Sequence, residues 1–289
     1  MNRILIEIAG FWEHSGTRPP TLFLIEMNNL KLLVYPEESS LDDRLPVISL
    51  EIKHGKKLSY FLTSLKQSKI VLIEIFRFLH YAFVSQLLND LFGIQTHGGN
   101  AHCGLYTKYA LGLTDLETNH MIQQLSRYKN ELSRPGFVRI ALHFTLTQQE
   151  LKYITDAIRY VCMHGWKFLP LYDVDVESGS FHRRNWRHKE WRSLLDLQID
   201  RKSGDLLWKD NHRKFKSDLQ TNFDTYFEFA DEQLAKLRKT LPTKSEIDRE
   251  QKVDDPHSWY WLPSEMFPFV VEYAFRGMIS PKAMKREDW

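Results

Sequence analysis

Phe137-Val138-Arg139-Ile140-Ala141-Leu142-His143-Phe144, set off by Pro135-Gly136 and followed within three residues by Thr147-Gln148-Gln149-Glu150, decides the fold class of this chain. The first eight residues are rich in apolar and β-branched side chains and read as a strand. Thr147 with Glu150 three positions on is a capping box, the two-way hydrogen-bond pattern that opens a helix. Leu151, Ile154, Ile158 and Val161 then recur at the helical period, and Gly165 is placed to end the helix. A strand that runs straight into an amphipathic helix buries each against the other, which is the unit of an α/β or α+β layer.

The same grammar extends in both directions. Upstream, Arg44-Leu45-Pro46-Val47-Ile48-Ser49-Leu50-Glu51-Ile52 reads as a strand after an initial proline. Residues 78–91 carry apolar side chains at helical spacing, from Phe78 and Leu79 to Leu91, and Thr114 to Leu132 reads as a second helix with Thr114 and Glu117 as its capping box. The strands at 45–52 and 137–144 are expected in one sheet, with the intervening helices packed on it. Leu30 to Tyr35 reads as a shorter strand ended by Pro36, and 56–75 as a helix or an insertion. Downstream, Tyr172 to Gly179 reads as extended chain and turn, and 194–199 pairs with 205–208 as a hairpin around Lys202-Ser203-Gly204. A long helix is expected over Phe223 to Leu241, a polar linker over 242–256 and an aromatic segment over Trp259 to Phe275 that docks on the rest.

Composition narrows the function classes. The chain has 289 residues, of which 43% are hydrophobic and 26% charged, as in an ordinary globular protein. Its 39 basic and 37 acidic residues leave a formal charge of +2, so no strong overall field argues for nucleic acid or a membrane surface. Two cysteines, Cys103 and Cys162, do not make a disulfide framework, and a reducing cytoplasm is expected. The apolar runs at 4–9 and 70–76 are short and broken by Glu7 and Glu74, which argues against a membrane span.

Three groups of residues carry candidate chemistry. Gly98-Gly99-Asn100-Ala101-His102-Cys103-Gly104 presents a histidine and a thiol on a glycine-rich loop, where the backbone can approach a bound molecule closely. A thiolate is a strong nucleophile and imidazole a common base for it, which makes Cys103 and His102 the candidate catalytic pair. Arg139 offers a planar fork that matches a carboxylate. His97, His102 and Cys103 also contain metal-ligand types, but no second pair at metal-site spacing accompanies them, and no metal is expected. The tract His182-Arg183-Arg184-Asn185-Trp186-Arg187-His188-Lys189-Glu190-Trp191-Arg192 interleaves basic and aromatic residues as a nucleic-acid surface does; an exposed loop with arginines over indole rings has the same form and is preferred.

Taken together, Arg44–Ser49, Leu87-Leu88-Asn89-Asp90-Leu91-Phe92-Gly93-Ile94-Gln95, Gly98-Gly99 with Gly104 and Tyr106, Pro135–Ile140 and Gly165-Trp166-Lys167-Phe168-Leu169-Pro170 resemble the C-terminal part of class V aminotransferases. These are fold-type I enzymes dependent on pyridoxal phosphate, and the match is to their cysteine desulfurase-like branch. Trp261-Leu262-Pro263-Ser264-Glu265 is similar to the close of longer members. The resemblance implies a small C-terminal domain over 45–170, with an antiparallel or mixed sheet and helices packed on it. It also implies a remnant or linker over 1–44 and a C-terminal extension over 171–289. It assigns Arg139 to the α-carboxylate of a small amino-acid substrate and implies a homodimer. His102 stands where relatives carry the persulfide-forming cysteine, with Cys103 one position later; Asn100 and His97 replace a frequent cysteine and arginine. The cofactor's large domain and Schiff-base lysine are not recognised, so the chain is expected to be inactive in isolation, with no covalent pyridoxal phosphate and no sulfide release. The competing expectations are a non-catalytic interaction protein that retains the fold and, behind it, a nucleic-acid-binding module.

Overall fold

The computed structural model describes residues 4–6, 23–25, 30–32, 47–64, 67–143, 145–184, 197–204, 206–208, 222–247 and 258–276. At its centre is an antiparallel sheet built from β3 (Leu30–Leu32), β4 (Val47–Ser64), β5 (Gln67–Phe78), β6 (His97–Gly99) and β7 (Phe137–Ala141). The strands β4 and β7 are neighbours, with Val47 opposite Ala141, Ser49 opposite Arg139 and Leu50 opposite Val138. The two stretches expected to share a sheet do so, across nearly ninety residues of intervening chain. Short pairs lie outside this sheet: β1 (Ile4–Ile6) with β2 (Phe23–Ile25), β8 (Tyr172–Asp175) with β9 (Ser180–Arg183), and β10 (Leu197–Ile199) with β11 (Leu206–Trp208).

Alternation along the strands divides the sheet into two unlike faces. Leu50, Ile52, Val138 and Ile140 point into the main core and meet α1 (Tyr81–Phe92) and α4 (Gln148–Phe168), whose Phe83, Leu87, Leu88, Leu91, Ile158 and Val161 are buried there. That core also takes in Tyr172 and Phe181 of the β8–β9 hairpin, Phe227 and Ala230 of α5 (Asp224–Ala235), Leu237 of α6 (Leu237–Thr240), and Trp261, Met266 and Val270 at and within α8 (Pro263–Arg276). The short helix α7 (Lys244–Ile247) precedes α8. The other face is partly covered by α2 (Gly104–Leu111) and α3 (Asp115–Tyr128), where Phe137, Leu111, Leu113 and Met121 form a smaller cluster.

Several boundaries differ from expectation, each for a local reason. Residues 56–64 and 67–75 are not helical but form the arms of the β4–β5 hairpin, in register from Lys53–Phe78 to Ser64–Gln67. The first helix starts at Tyr81 rather than Phe78 because Phe78 completes β5 and His80 caps the helix, its Nδ1 accepting from the Ala82 N–H at 3.2 Å. Both capping boxes are present, Thr114 with Glu117 and Thr147 with Glu150. The former helix ends at Tyr128, four residues early, because Lys129 takes the left-handed conformation at φ 50°. Gly165 does not end α4. It lies buried inside it, where an added Cβ would stand 3.0 Å from Val161 and 3.4 Å from Leu79 and Leu87, so its small size lets α4 approach α1. The long helix expected from Phe223 is interrupted at Lys236 into α5 and α6.

The segment at 258–262 closes the sheet. The Phe78 N–H donates to the Trp259 carbonyl and the Trp261 N–H to the Phe78 carbonyl, both at 3.0 Å. The buried Tyr260 hydroxyl accepts from the Gly136 N–H at 3.2 Å and donates to the Gly136 carbonyl at 3.1 Å. The aromatic segment docks as expected, and its target is the turn that starts β7.

Candidate functional site

The glycine-rich loop begins as a sheet edge. In β6, His97 lies opposite Arg139, Gly98 opposite Val138 and Gly99 opposite Phe137. Gly98 faces α1, and a Cβ there would meet the Tyr81 ring at 2.9 Å and the Ser85 hydroxyl at 3.1 Å. Gly136 is tighter still, with an added Cβ 2.6 Å from Tyr81 and 2.8 Å from the backbone of Gly99. The close approach anticipated for these glycines is therefore made to the protein's own Tyr81 and strand backbone. Gly99 also adopts φ 127°, a region open to glycine and strained for other residues.

Asn100 organises the turn between β6 and α2. Its side-chain oxygen accepts from the His102 N–H at 3.0 Å, and its carbonyl accepts from the Cys103 N–H at 3.0 Å and from the Thr107 hydroxyl at 3.2 Å. Ala101 and His102 are both left-handed, at φ 52° and 57°, which turns the chain sharply into α2. Cys103 occupies the N-cap of that helix without a side-chain capping bond. His102 and Cys103 are both exposed, and among the described residues neither side chain has a hydrogen-bonding partner. The pair is presented at one place but not joined as thiol and base.

Arg139 is exposed in the middle of β7. It shares its sheet face with Phe137, and through the register with Ser49 on one side and His97 on the other. Ala101 and Tyr106 pack against the cluster containing Phe137, with the Tyr106 and Phe137 rings 6.0 Å apart, so the loop and α2 lie on this same face. The three residues singled out from the sequence, His102, Cys103 and Arg139, thus lie on one side of the sheet. Ser49 carries no mark of its own in the sequence, because its place beside Arg139 depends on strand register alone. Among the described residues Arg139 has no ion-pair partner. On the same face Glu51 is 4% exposed and takes a hydrogen bond from the Trp259 indole at 3.4 Å.

Other polar features belong to the framework. Arg183 donates to Gln233 at 2.6 Å, and Arg184 pairs with Asp173 at 2.5 Å and donates to the Pro170 carbonyl at 3.2 Å. Two arginines of the basic tract are therefore committed to holding the β8–β9 hairpin; residues 185–192 lie outside the described residues. Lys167 on α4 is buried behind the sheet, 2.9 Å from Nδ1 of His164 and 4.2 Å from the Tyr273 ring centre, and burial pulls its amine down to about 8. Among the described residues no group of three or more His, Cys, Asp or Glu side chains is placed to hold a metal ion, and no helix is long and apolar enough to cross a membrane. Cys103 and Cys162 form no disulfide. Compared with protein-family models, curated proteins and solved structures, the chain matches none of them.

Proposed function

We propose that residues 45–170 are the substrate-facing small domain of an enzyme related to the class V aminotransferases and cysteine desulfurases, with Arg139 holding the carboxylate of a small amino acid. One observation carries this reading. Arg139 stands exposed and without an ion-pair partner among the described residues, on the sheet face from which the Asn100–Cys103 loop also projects. A guanidinium fixed on a strand, rather than on a loop, offers its two parallel donors in a reproducible direction, as bidentate carboxylate binding requires. His102 and Cys103 are the proposed reactive pair at the edge of that site, in a cytoplasmic protein whose assembly as a homodimer belongs to the same proposal.

The cofactor of such enzymes, pyridoxal phosphate, needs a phosphate cradle and an amine able to form an imine. The N-terminus of α1 is closed by the His80 side chain, and those of α3 and α4 by the Glu117 and Glu150 carboxylates, which repel a phosphate. Lys108, Lys152 and Lys236 are paired with Asp115, Asp156 and Glu232, and Lys167 faces away from Arg139 behind the sheet. The N-terminus of α2 is uncapped, but the lysine that α2 carries, Lys108, is held by Asp115, so these residues do not fit the cofactor. The part of the described residues in the proposed function is to bind and orient the amino acid, with the cofactor held by another domain or chain.

The test uses the purified protein. Titration with L-alanine followed by NMR should shift resonances of β6 and β7, and Arg139→Gln should abolish the shifts. Incubation with pyridoxal phosphate and borohydride should leave no stable adduct, and cysteine should yield no sulfide. A pyridoxyl-lysine adduct with sulfide release lost in Cys103→Ala would overturn the division of labour in favour of a complete enzyme.

A second reading is a non-catalytic interaction protein. It is favoured by Leu105, Tyr109 and Leu116, which are 66%, 57% and 81% exposed on α2 and at the start of α3, beside the loop. Carboxylate binding unaffected by Arg139→Gln would favour it over the first.

A further inference from the structure

We propose that His97 recognises a second anionic group on the substrate, so that the site selects four-carbon dicarboxylic amino acids over neutral ones. This selectivity rests on the carboxylate role of Arg139 and extends it to the substrate's side chain.

Strand register sets the geometry. His97 and Arg139 are directly opposed across β6 and β7, and Ser49 is opposed to Arg139 from β4. Facing residues of an antiparallel pair stand with Cβ atoms about 4.5–5.5 Å apart and point to the same side. Three donor-bearing side chains therefore form a row on adjacent strands. Both His97 and Arg139 are exposed, and neither has a hydrogen-bonding or ion-pair partner among the described residues. Unpaired donors in a row on a sheet face are suited to an extended acceptor rather than to one another.

Glu51, the buried carboxylate on this face, turns one oxygen to the Trp259 indole at 3.4 Å. A single carboxylate satisfies the guanidinium fork and leaves the imidazole unused. A dicarboxylate whose two ends span neighbouring strand positions engages both, and the Ser49 hydroxyl can donate to the carboxylate held by Arg139.

Binding of L-aspartate, L-asparagine and L-alanine, measured by NMR titration, tests this. Asparagine has nearly the shape of aspartate without its second charge. The wild-type protein should bind aspartate about tenfold more tightly than either neutral amino acid, the value of one added hydrogen bond to a charged group. His97→Gln should remove the preference and leave alanine binding unchanged, whereas His97→Arg should retain it. Equal affinity for the three ligands, or a preference that survives His97→Gln, would overturn the role of His97 while leaving that of Arg139 intact. Loss of all binding in Arg139→Gln is expected. Binding unaltered by Arg139→Gln, or no binding of any of the three, would overturn the carboxylate site itself and this extension with it. Both side chains are exposed, so each variant should keep the wild-type unfolding transition.

Discussion

The two faces of the central sheet are made by the same strands and obey opposite rules. On one, Leu50, Val138 and Ile140 are sealed beneath α1 and α4; on the other, one residue along, Ser49, Arg139 and His97 stand partly or wholly in solvent. A strand can serve both purposes because adjacent side chains point in opposite directions. The apolar face fixes register, since a slip of one residue would bury Arg139 and expose Val138. Register in turn sets the row of polar residues. Precision at the open face is thus a by-product of packing on the closed one.

That division of labour can be broken from the closed side first. Phe83 is fully buried on α1, with its ring 5.1 Å from Tyr172 and 5.7 Å from Phe181. Phe83→Ala should cost about 3–5 kcal/mol in chemical denaturation, from lost burial and the cavity left behind. An intermediate effect is expected from acid. His80 is buried among Tyr81, Phe181 and Tyr260, and burial lowers its imidazole to about 3, offset only in part by the polar Leu132 backbone. An unfolded histidine protonates near 6.5, so between those values the unfolded chain binds the extra proton. Stability should therefore be intact above pH 6.5 and decline as pH falls toward 3, by on the order of a few kcal/mol. His80→Asn, which keeps a capping oxygen, should flatten that decline; an unchanged acid limb would show that other groups cause it. The smallest effect belongs to the open face. Arg139→Gln should alter stability by about 0.5 kcal/mol or less. A larger loss in denaturant midpoint would mean that Arg139 is part of the framework, and the contrast between the faces would fail.

The parts of this architecture written locally were legible in the sequence. Thr114 with Glu117 and Thr147 with Glu150 specify helix starts through hydrogen bonds spanning three residues, and both are made. Features that depend on distant partners were not. Gly165 looks like a helix end until Leu79 and Leu87 are seen pressing on it from elsewhere in the chain. His80 is not among the preferred capping residues, which hid the true start of α1. The helix α2 escaped notice because Leu105 and Tyr109 face outward, so its apolar residues do not form a buried stripe. At the site, Arg139, His102 and Cys103 stood out by residue type. The alignment of Ser49 and His97 with Arg139 exists only once three strands are in register.

The Tyr260 clamp on Gly136 has a consequence in time. The two residues are 124 positions apart, and the hydroxyl bonds both the N–H and the carbonyl of the glycine that leads into β7. A chain is synthesised from its N-terminus, so β4, β6 and β7 leave the ribosome well before the segment that fastens them. Contacts of such long sequence separation form late and slow the final step of folding. The nascent sheet must therefore wait with its edge turn unfastened, and the order of synthesis becomes the order of assembly: first the surface that carries Arg139, then the tyrosine that locks it.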